Sequence, residues 1–431
     1  MSYSKNSLTH RLIPGGSHTY SKGDDQFPAN APRYLERGDG AYVWDNQDNM
    51  FLDWTMGLRT MTLGYGHKGV IEAAIDQMWK GSNFGRPSYI ETETAQDIVD
   101  LIPCADMVKF AKNGSSVTSA AVKLARAYTG RDKVAMCKDQ PFFSYDDWFI
   151  GTTPCDNGIP MTERGLSLTF RYNDASTLEK LFSDNPGEIA CVILEAAATA
   201  HPVEGFLQQI QALCNKNGAV FIIDEMISGF RWHLQGAQTY YGIQPDLTTF
   251  GKGIANGFSV SALAGKREIM QLGGLDHDAK RVFLISTTHG AENHGLAAAR
   301  AAIKVYREEP VIEHLWKIGK ALVDGLNEAA RNAGISEYFK AGGVECSPTF
   351  SCSDKDGAVS LPLRTLFLQE MVRRGVLINY MVPSYAHQIS DVDRTIQAAS
   401  ESLVVYAQAL DKGYEKLLEG DSIKPVFRPY N

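Results

Sequence analysis

From about residue 68 the chain alternates between two hydrophobic periods. GVIEAAIDQMW and ETAQDIVDLI carry apolar residues at helical spacing and predict amphipathic helices. MVKFA reads as a strand, and SAAVKLARAYTG as a helix closed by Gly130 just past its last turn. DKVAMC, EIACVIL and AVFIID are short apolar runs bounded by polar turns, the pattern of strands buried on both faces. Between the last two, GFLQQIQALCNKNG reads as another helix ending in glycine. LTTF and SVSALAGK continue the series as strands. This alternation predicts an α/β fold, a mostly parallel sheet with helices on both faces.

Both ends of the chain read differently. The opening 60 or so residues are rich in Gly, Pro and aromatics and end in two strand-like pieces, AYVWD and MFLDW, either side of the turn NQDN. After residue 295 a long helical stretch is interrupted near Pro310. Beyond it VECSPTFSCS, LPLRTLFLQEMVRRG and VDRTIQAASESLVVYAQAL predict a smaller α/β unit. The expected organisation is an N-terminal segment, 1–65, that joins a small domain; a large domain, 66–320; and a C-terminal small domain, 321–431.

Composition narrows the classes. The net charge of −8 offers no basic footprint for nucleic acid or an anionic membrane. No apolar run approaches the roughly 20 residues that span a bilayer. The N-terminus, MSYSKNSLTH, has no apolar signal core, and the expected location is cytoplasmic. Seven scattered cysteines without a C-x-x-C pair point to reduced thiols rather than disulfides, and no metal site is expected.

Candidate chemistry gathers at strand ends, where open parallel sheets bind ligands. Asn113-Gly114-Ser115-Ser116 lies between a strand and a helix; backbone N–H groups, small hydroxyls and a glycine there can cradle a phosphate, although an ordinary helix cap needs the same residues. Asp224 and Glu225 end a wholly apolar strand, where a carboxylate is costly without a cation; the alternative is a pair of solvated loop acids. Lys252 stands between Gly251 and Gly253, and a partly desolvated lysine can act as a nucleophilic amine; the alternative is a surface turn. Thr287, Thr288 and His289 precede a helix and could add phosphate contacts or merely start it. Together the order is a phosphate cradle, an aspartate, a glycine-flanked lysine 28 residues later and a Thr-rich turn. That is the layout of pyridoxal phosphate enzymes, whose cofactor needs anion contacts, a carboxylate for its ring nitrogen and an amine for its aldehyde.

The chain resembles the class III, fold-type I aminotransferases, and among them the glutamate-1-semialdehyde aminomutase branch. The likeness is carried by RLIPGG, RGDGAYVWDNQDNMFLDW, LGYGHKGVIEA, KNGSSVTSAAVKLARAYTGRDKV, IIDEMISGFR and FGKGIANGFSVSALAGKREIM. The resemblance implies that Lys252 is the Schiff-base lysine and proton shuttle, and that Asp224 keeps the pyridine nitrogen protonated. It implies that Gly114 and Ser115 take the phosphate and that Phe142 stacks on the cofactor ring. Glu195 falls where the family has "EP". Thr288 matches a threonine lent by the neighbouring subunit, which implies a homodimer with a shared active site.

Departures from that branch matter as much. Ser116 stands where the family's "NSGTEA" glutamate is expected, and Phe143 replaces the histidine of "YHG". The branch's substrate-binding arginine falls on Lys22, so a bidentate clamp becomes a point charge. DDWFIGTTPCDNGIP replaces the Gly- and Ser-rich gating loop with which aminomutases retain their diamino intermediate. The reading is therefore an aminotransferase with glutamate as the expected donor and an aldehyde or ketone acceptor. Tyr20, Lys22, Ser116, Phe143 and Tyr145 are the candidate substrate residues, and Tyr145 with Asp146, Asp147 and Trp148 points to a sugar-like or nucleotide-linked acceptor. An aminomutase acting on another semialdehyde is the alternative in the same class. A non-catalytic binding protein of this fold would be expected to lack Lys252 or Asp224, and both are present.

Overall fold

A computed structural model describes residues 8–430. The apolar runs of its middle part assemble into one seven-stranded sheet. In chain order the strands are β1 (Met107–Ala111), β2 (Lys133–Cys137), β3 (Ser167–Phe170), β4 (Ile189–Leu194), β5 (Val220–Glu225), β6 (Leu247–Phe250) and β7 (Ser261–Gly265). Their order across the sheet is β1-β7-β6-β5-β4-β2-β3. All pairings are parallel except those of β7, which runs antiparallel to both β1 and β6. Strands β4 to β7 have no residue outside the buried class, which is why their sequences show apolar runs rather than alternation.

The intervening helices are α1 (Lys68–Lys80), α2 (Tyr89–Val99), α3 (Gly114–Thr129), α4 (Ala175–Asp184), α5 (Phe206–Asn217) and α6 (Asn293–Glu308). Helices α3 and α5 end at Gly130 and Gly218 with φ of 67° and 62°, the left-handed cap that their glycines permit at low cost. Helix α6 stops at Glu308 and a new helix starts at Val311, so Pro310 breaks the run as its missing N–H requires. Edge strand β3 and helix α4 were not legible: SLTF is short, half-buried and only partly apolar.

The chain divides into two compact units. The sheet and these helices belong to the unit made of Arg59–Met61 and Lys68–Ile312. The other comprises Met1–Leu58, Thr62–His67 and Glu313–Asn431. In it Leu35–Asp39, Tyr42–Asp45 and Met50–Asp53 form an antiparallel meander, to which Val376–Leu377 adds a parallel strand. A hairpin, Phe339–Val344 with Ser347–Cys352, and the helices Leu361–Arg373 and Ile389–Lys412 enclose a core containing Trp54, Leu326, Phe339, Phe367 and Tyr406. The Trp54 indole donates to Thr395 Oγ1 at 2.8 Å and stacks on His387 with centroids 3.9 Å apart.

Gly319, on the helix Val311–Asn332, has the least room for a side chain among the described glycines of this unit: a Cβ there would lie 1.7 Å from the Glu345 carbonyl oxygen. Because that obstacle is backbone, Gly319→Ala is expected to destabilise the unit by about 3 kcal/mol. Urea unfolding checks this, and a midpoint equal to the parent's would refute it.

Candidate active site

Sheet register brings three chemistry-bearing groups to one strand end. Leu194 pairs with Ile223 and Asp224 with Thr249. Glu195 and Asp224 therefore stand side by side just past β4 and at the end of β5, and Lys252 follows β6 by two residues. The two acids are buried, Glu195 3% and Asp224 2% exposed, and Lys252 is half-buried. Burial lowers the Lys252 amine below its ordinary lysine value, while the Asp224 and Glu195 carboxylates oppose that shift. Burial pushes Glu195 up to about 8, helped by Asp224 and opposed by Lys252 and Arg59. Burial also raises Asp224, to about 6, against the pull of Lys252 and of two hydrogen bonds. An amine of lowered pKa is the form that can attack a carbonyl.

The backbone around these groups is held from several sides. Asp224 Oδ1 accepts the Met226 N–H at 2.8 Å and the Thr249 hydroxyl at 3.0 Å, which leaves Oδ2 for a cation. The Gln140 side-chain amide grips the Glu195 backbone twice, donating to its carbonyl at 2.6 Å and accepting its N–H at 2.8 Å. Lys252 has a φ of 47°, a left-handed conformation that costs a non-glycine residue about 1 kcal/mol. Its turn is anchored one residue on, where the buried Tyr306 hydroxyl donates to the Gly253 carbonyl at 2.6 Å. Met226 fills the space between Gly251, before the lysine, and Gly114, at the start of α3: a Cβ on Gly114 would lie 3.0 Å, and on Gly251 2.6 Å, from its sulfur. Gly251 thus serves packing as much as access to the amine.

Glu225, adjacent to Asp224 in sequence, has a different fate. Its carboxylate accepts from the Ser228 hydroxyl at 2.5 Å and from the Ala237 and Gln238 N–H groups at 2.8 and 2.9 Å. It ties down the following loop, so of the two acids only Asp224 faces the lysine.

At the start of α3, Asn113 acts as the helix cap, its Oδ1 accepting the Ser116 N–H at 3.0 Å and the Ser116 hydroxyl at 3.1 Å. Gly114 and Ser115 form the first turn. The Ser115 oxygen accepts the Tyr145 N–H at 3.0 Å. Phe142 and Tyr145 are exposed, at 47% and 59%. Phe143 turns the other way: it is 2% exposed and packs edge-on against Phe149, so it is a packing residue and not part of the outward face. Thr288 is exposed, its carbonyl accepting from the Asn83 side chain at 3.0 Å. Tyr20 and Lys22 lie on an exposed 3-10 turn of the other unit.

Thr249, Gln140, Tyr306 and Arg59 were not singled out in the sequence. A signal existed for Thr249, a hydroxyl in a strand with no exposed residue. For Arg59 it is conformational. Met56, Gly57, Leu58 and Arg59 all have positive φ, from 45° to 73°, a left-handed turn that no composition rule reveals. Arg59 lies close enough to lower the pKa of both Lys252 and Glu195.

The raised Glu195 value has a definite sign for stability. A carboxylate that binds its proton more tightly when folded stabilises below its unfolded value, and that contribution is lost as pH rises through the folded value. In the cofactor-free protein, the stability difference between parent and Glu195→Gln should fall from about 4.5 to about 8 and stay flat above. Urea unfolding across that range measures it; a pH-independent difference contradicts the burial argument.

Residues 24–389 match the family described as aminotransferase class-III. A glutamate-1-semialdehyde 2,1-aminomutase of Desulforamulus reducens is 33% identical over 416 residues, spanning 90% of this chain and 94% of its own. Among solved structures, the PLP internal aldimine form of the FumI protein of Sphingopyxis sp. MTA144 superposes with a TM-score of 0.86 at 28% identity, covering 94% of this chain and 96% of that one. An omega-transaminase from Sphaerobacter thermophilus gives 0.82 at 24% identity, covering 93% and 96%, a likeness of fold. The chain belongs to the class-III aminotransferase family and is a pyridoxal-phosphate-dependent aminotransferase of fold-type I.

Proposed function

We propose that the protein catalyses two-substrate transamination, taking the amino group of glutamate and passing it to a polyhydroxylated aldehyde or ketone, sugar-like or nucleotide-linked. The residues present fit the cofactor. Lys252 supplies an amine of lowered pKa, Asp224 keeps one carboxylate oxygen for a protonated ring nitrogen, and Asn113, Gly114 and Ser115 offer a helix N-terminus to the phosphate. Exposed Phe142 would cover the ring face. When bound, pyridoxal phosphate supplies the electron sink for the substrate carbon. Lys252 then moves a proton at that carbon, and Asp224 holds the proton on the ring nitrogen. Buried Glu195, beside Asp224, favours the protonated form of the amine against the effect of burial.

The observation that favours transamination over an aminomutase reaction is the state of the segment that replaces the gating loop. Arg164 clamps it: its guanidinium meets the Asp156 carboxylate at 2.5 Å, the Asp156 carbonyl at 2.7 Å and the Ile159 carbonyl at 3.2 Å. A loop fastened in this way is ill suited to opening and closing over a retained intermediate. Arg59, whose charge is felt by Lys252 and Glu195, gives the donor's carboxylate a partner beside the amine. Exposed Tyr145 and half-buried Ser116 offer hydroxyls to a hydroxylated acceptor. A homodimer with a shared site is part of the reading. Thr288 is exposed on the protomer, and so are apolar residues of α1 and the segment after it, Met78, Trp79, Phe84 and Tyr89, with Trp79 at 88%.

Mixing the pyridoxamine form with a panel of aldehydes and keto sugars, and following return of the pyridoxal absorbance, tests the reaction. Turnover with one semialdehyde and no co-substrate would replace this reading with the aminomutase one. Lys252→Ala is expected to abolish borohydride trapping of the cofactor; a reducible adduct in that variant removes Lys252 from its role. Arg59→Met is expected to raise the KM for glutamate about tenfold or more, the loss of one charge-assisted contact. An unchanged KM shows that the donor carboxylate binds elsewhere.

A further inference from the structure

Three hydroxyl residues on one face of α3, Ser115, Thr118 and Ser119, fall at helical positions i, i+3 and i+4 and all reach the same loop, residues 142–148. The Thr118 hydroxyl donates to the Phe143 carbonyl at 2.8 Å, shorter than its 3.1 Å approaches to the Gly114 and Ser115 carbonyls. Ser115 accepts the Tyr145 N–H at 3.0 Å. Ser119 accepts the Trp148 indole N–H at 2.8 Å, donates to the Asp146 carboxylate and lies 3.1 Å from the Ser144 hydroxyl. Ser144 in turn accepts the Asp146 N–H at 3.1 Å. Apolar packing completes the fastening: Phe143, Trp148 and Phe149 are buried, and both Phe142 and Phe143 meet Phe149 edge-on at 5.6 and 5.7 Å.

With Phe143 and Trp148 drawn inward, Phe142 and Tyr145 are left facing out. The helix that begins with the phosphate-binding turn is thereby the same rigid piece that sets the ring-covering aromatic. Ser115 belongs to both ends of the device. Accepting the Tyr145 N–H leaves its single proton to be given to an anion.

We propose that Thr118 and Ser119 are positioning residues for the cofactor, fixing Phe142 and the Ser115 hydroxyl through this helix-to-loop latch. The proposal rests on the assignment of Phe142 and Ser115 to the cofactor made above. Neither Thr118 nor Ser119 touches the reacting atoms; they act through the loop. A merely structural role would lower thermal stability without altering how bound cofactor is held.

The test compares Thr118→Val, Ser119→Ala, Thr118→Ser and Phe142→Ala, each titrated with pyridoxal phosphate after removal of cofactor. The readouts are the dissociation constant, the visible circular dichroism per bound cofactor and the thermal midpoint of the cofactor-free protein. Thr118→Val and Ser119→Ala are expected to raise the dissociation constant about fivefold, the worth of one net hydrogen bond, and to reduce the dichroism per bound cofactor. Thr118→Ser, which keeps the donor, should restore parental values within about twofold. If Phe142→Ala loses the dichroic signal while Thr118→Val and Ser119→Ala keep it, shifting only the thermal midpoint, the latch proposal is overturned and the Phe142 assignment stands. If Phe142→Ala itself binds cofactor with unchanged affinity and dichroism, the stacking assignment fails and this proposal with it.

Discussion

The strand ends are governed by one constraint: a lysine amine and two carboxylates share a space from which water is largely excluded. Desolvation disfavours every charged form, so the amine tends towards neutral and the acids hold their protons longer than in water. Mutual attraction restores part of the ionisation, and the positive charge of Arg59 biases the balance. Such a cluster would be a poor way to stabilise a fold. It is a good way to hold an amine of lowered pKa between two buried acids, and the family's cofactor, pyridoxal phosphate, carries an aldehyde that such an amine can meet.

The scaffold meets that constraint by register and by rigid anchoring. Parallel pairing of β4, β5 and β6 lines up Glu195, Asp224 and the turn of Lys252. Each is then secured by a neutral group, Gln140 on the Glu195 backbone, Thr249 on the Asp224 carboxylate and Tyr306 on the turn after Lys252. Neutral partners fix position without adding charge to a site whose electrostatics are already crowded. Met226, between the two glycines, keeps the turn and the start of α3 at close approach.

The departures from the aminomutase pattern lie outside Lys252, Asp224 and Gly114. The segment after β2 is clamped by Arg164, and in the first turn of α3 Ser116 stands where the family pattern is expected to place a glutamate. None of these changes alters Lys252, Asp224 or Gly114, whose places are set by the sheet and by the start of α3.

The sequence by itself determined the α/β class, the mostly parallel sheet and the break at Pro310, and it marked Lys252 and the adjacent acids Asp224 and Glu225 as candidate chemistry. These follow from local pattern: runs buried on both faces, glycine caps, and polar residues at the ends of apolar strands. Only the tertiary structure decided between Asp224 and Glu225, since both end the same strand and only cross-strand neighbours distinguish them. It also turned Phe143 inward while leaving Phe142 exposed, a choice made by the Thr118 bond and the Phe149 ring. Arg59 comes near Lys252 and Glu195 after a run of positive φ angles, three of them in non-glycine residues, which the wider fold must stabilise and which no local preference predicts. Periodicity is a property of neighbours along the chain, whereas a site is a property of neighbours in space.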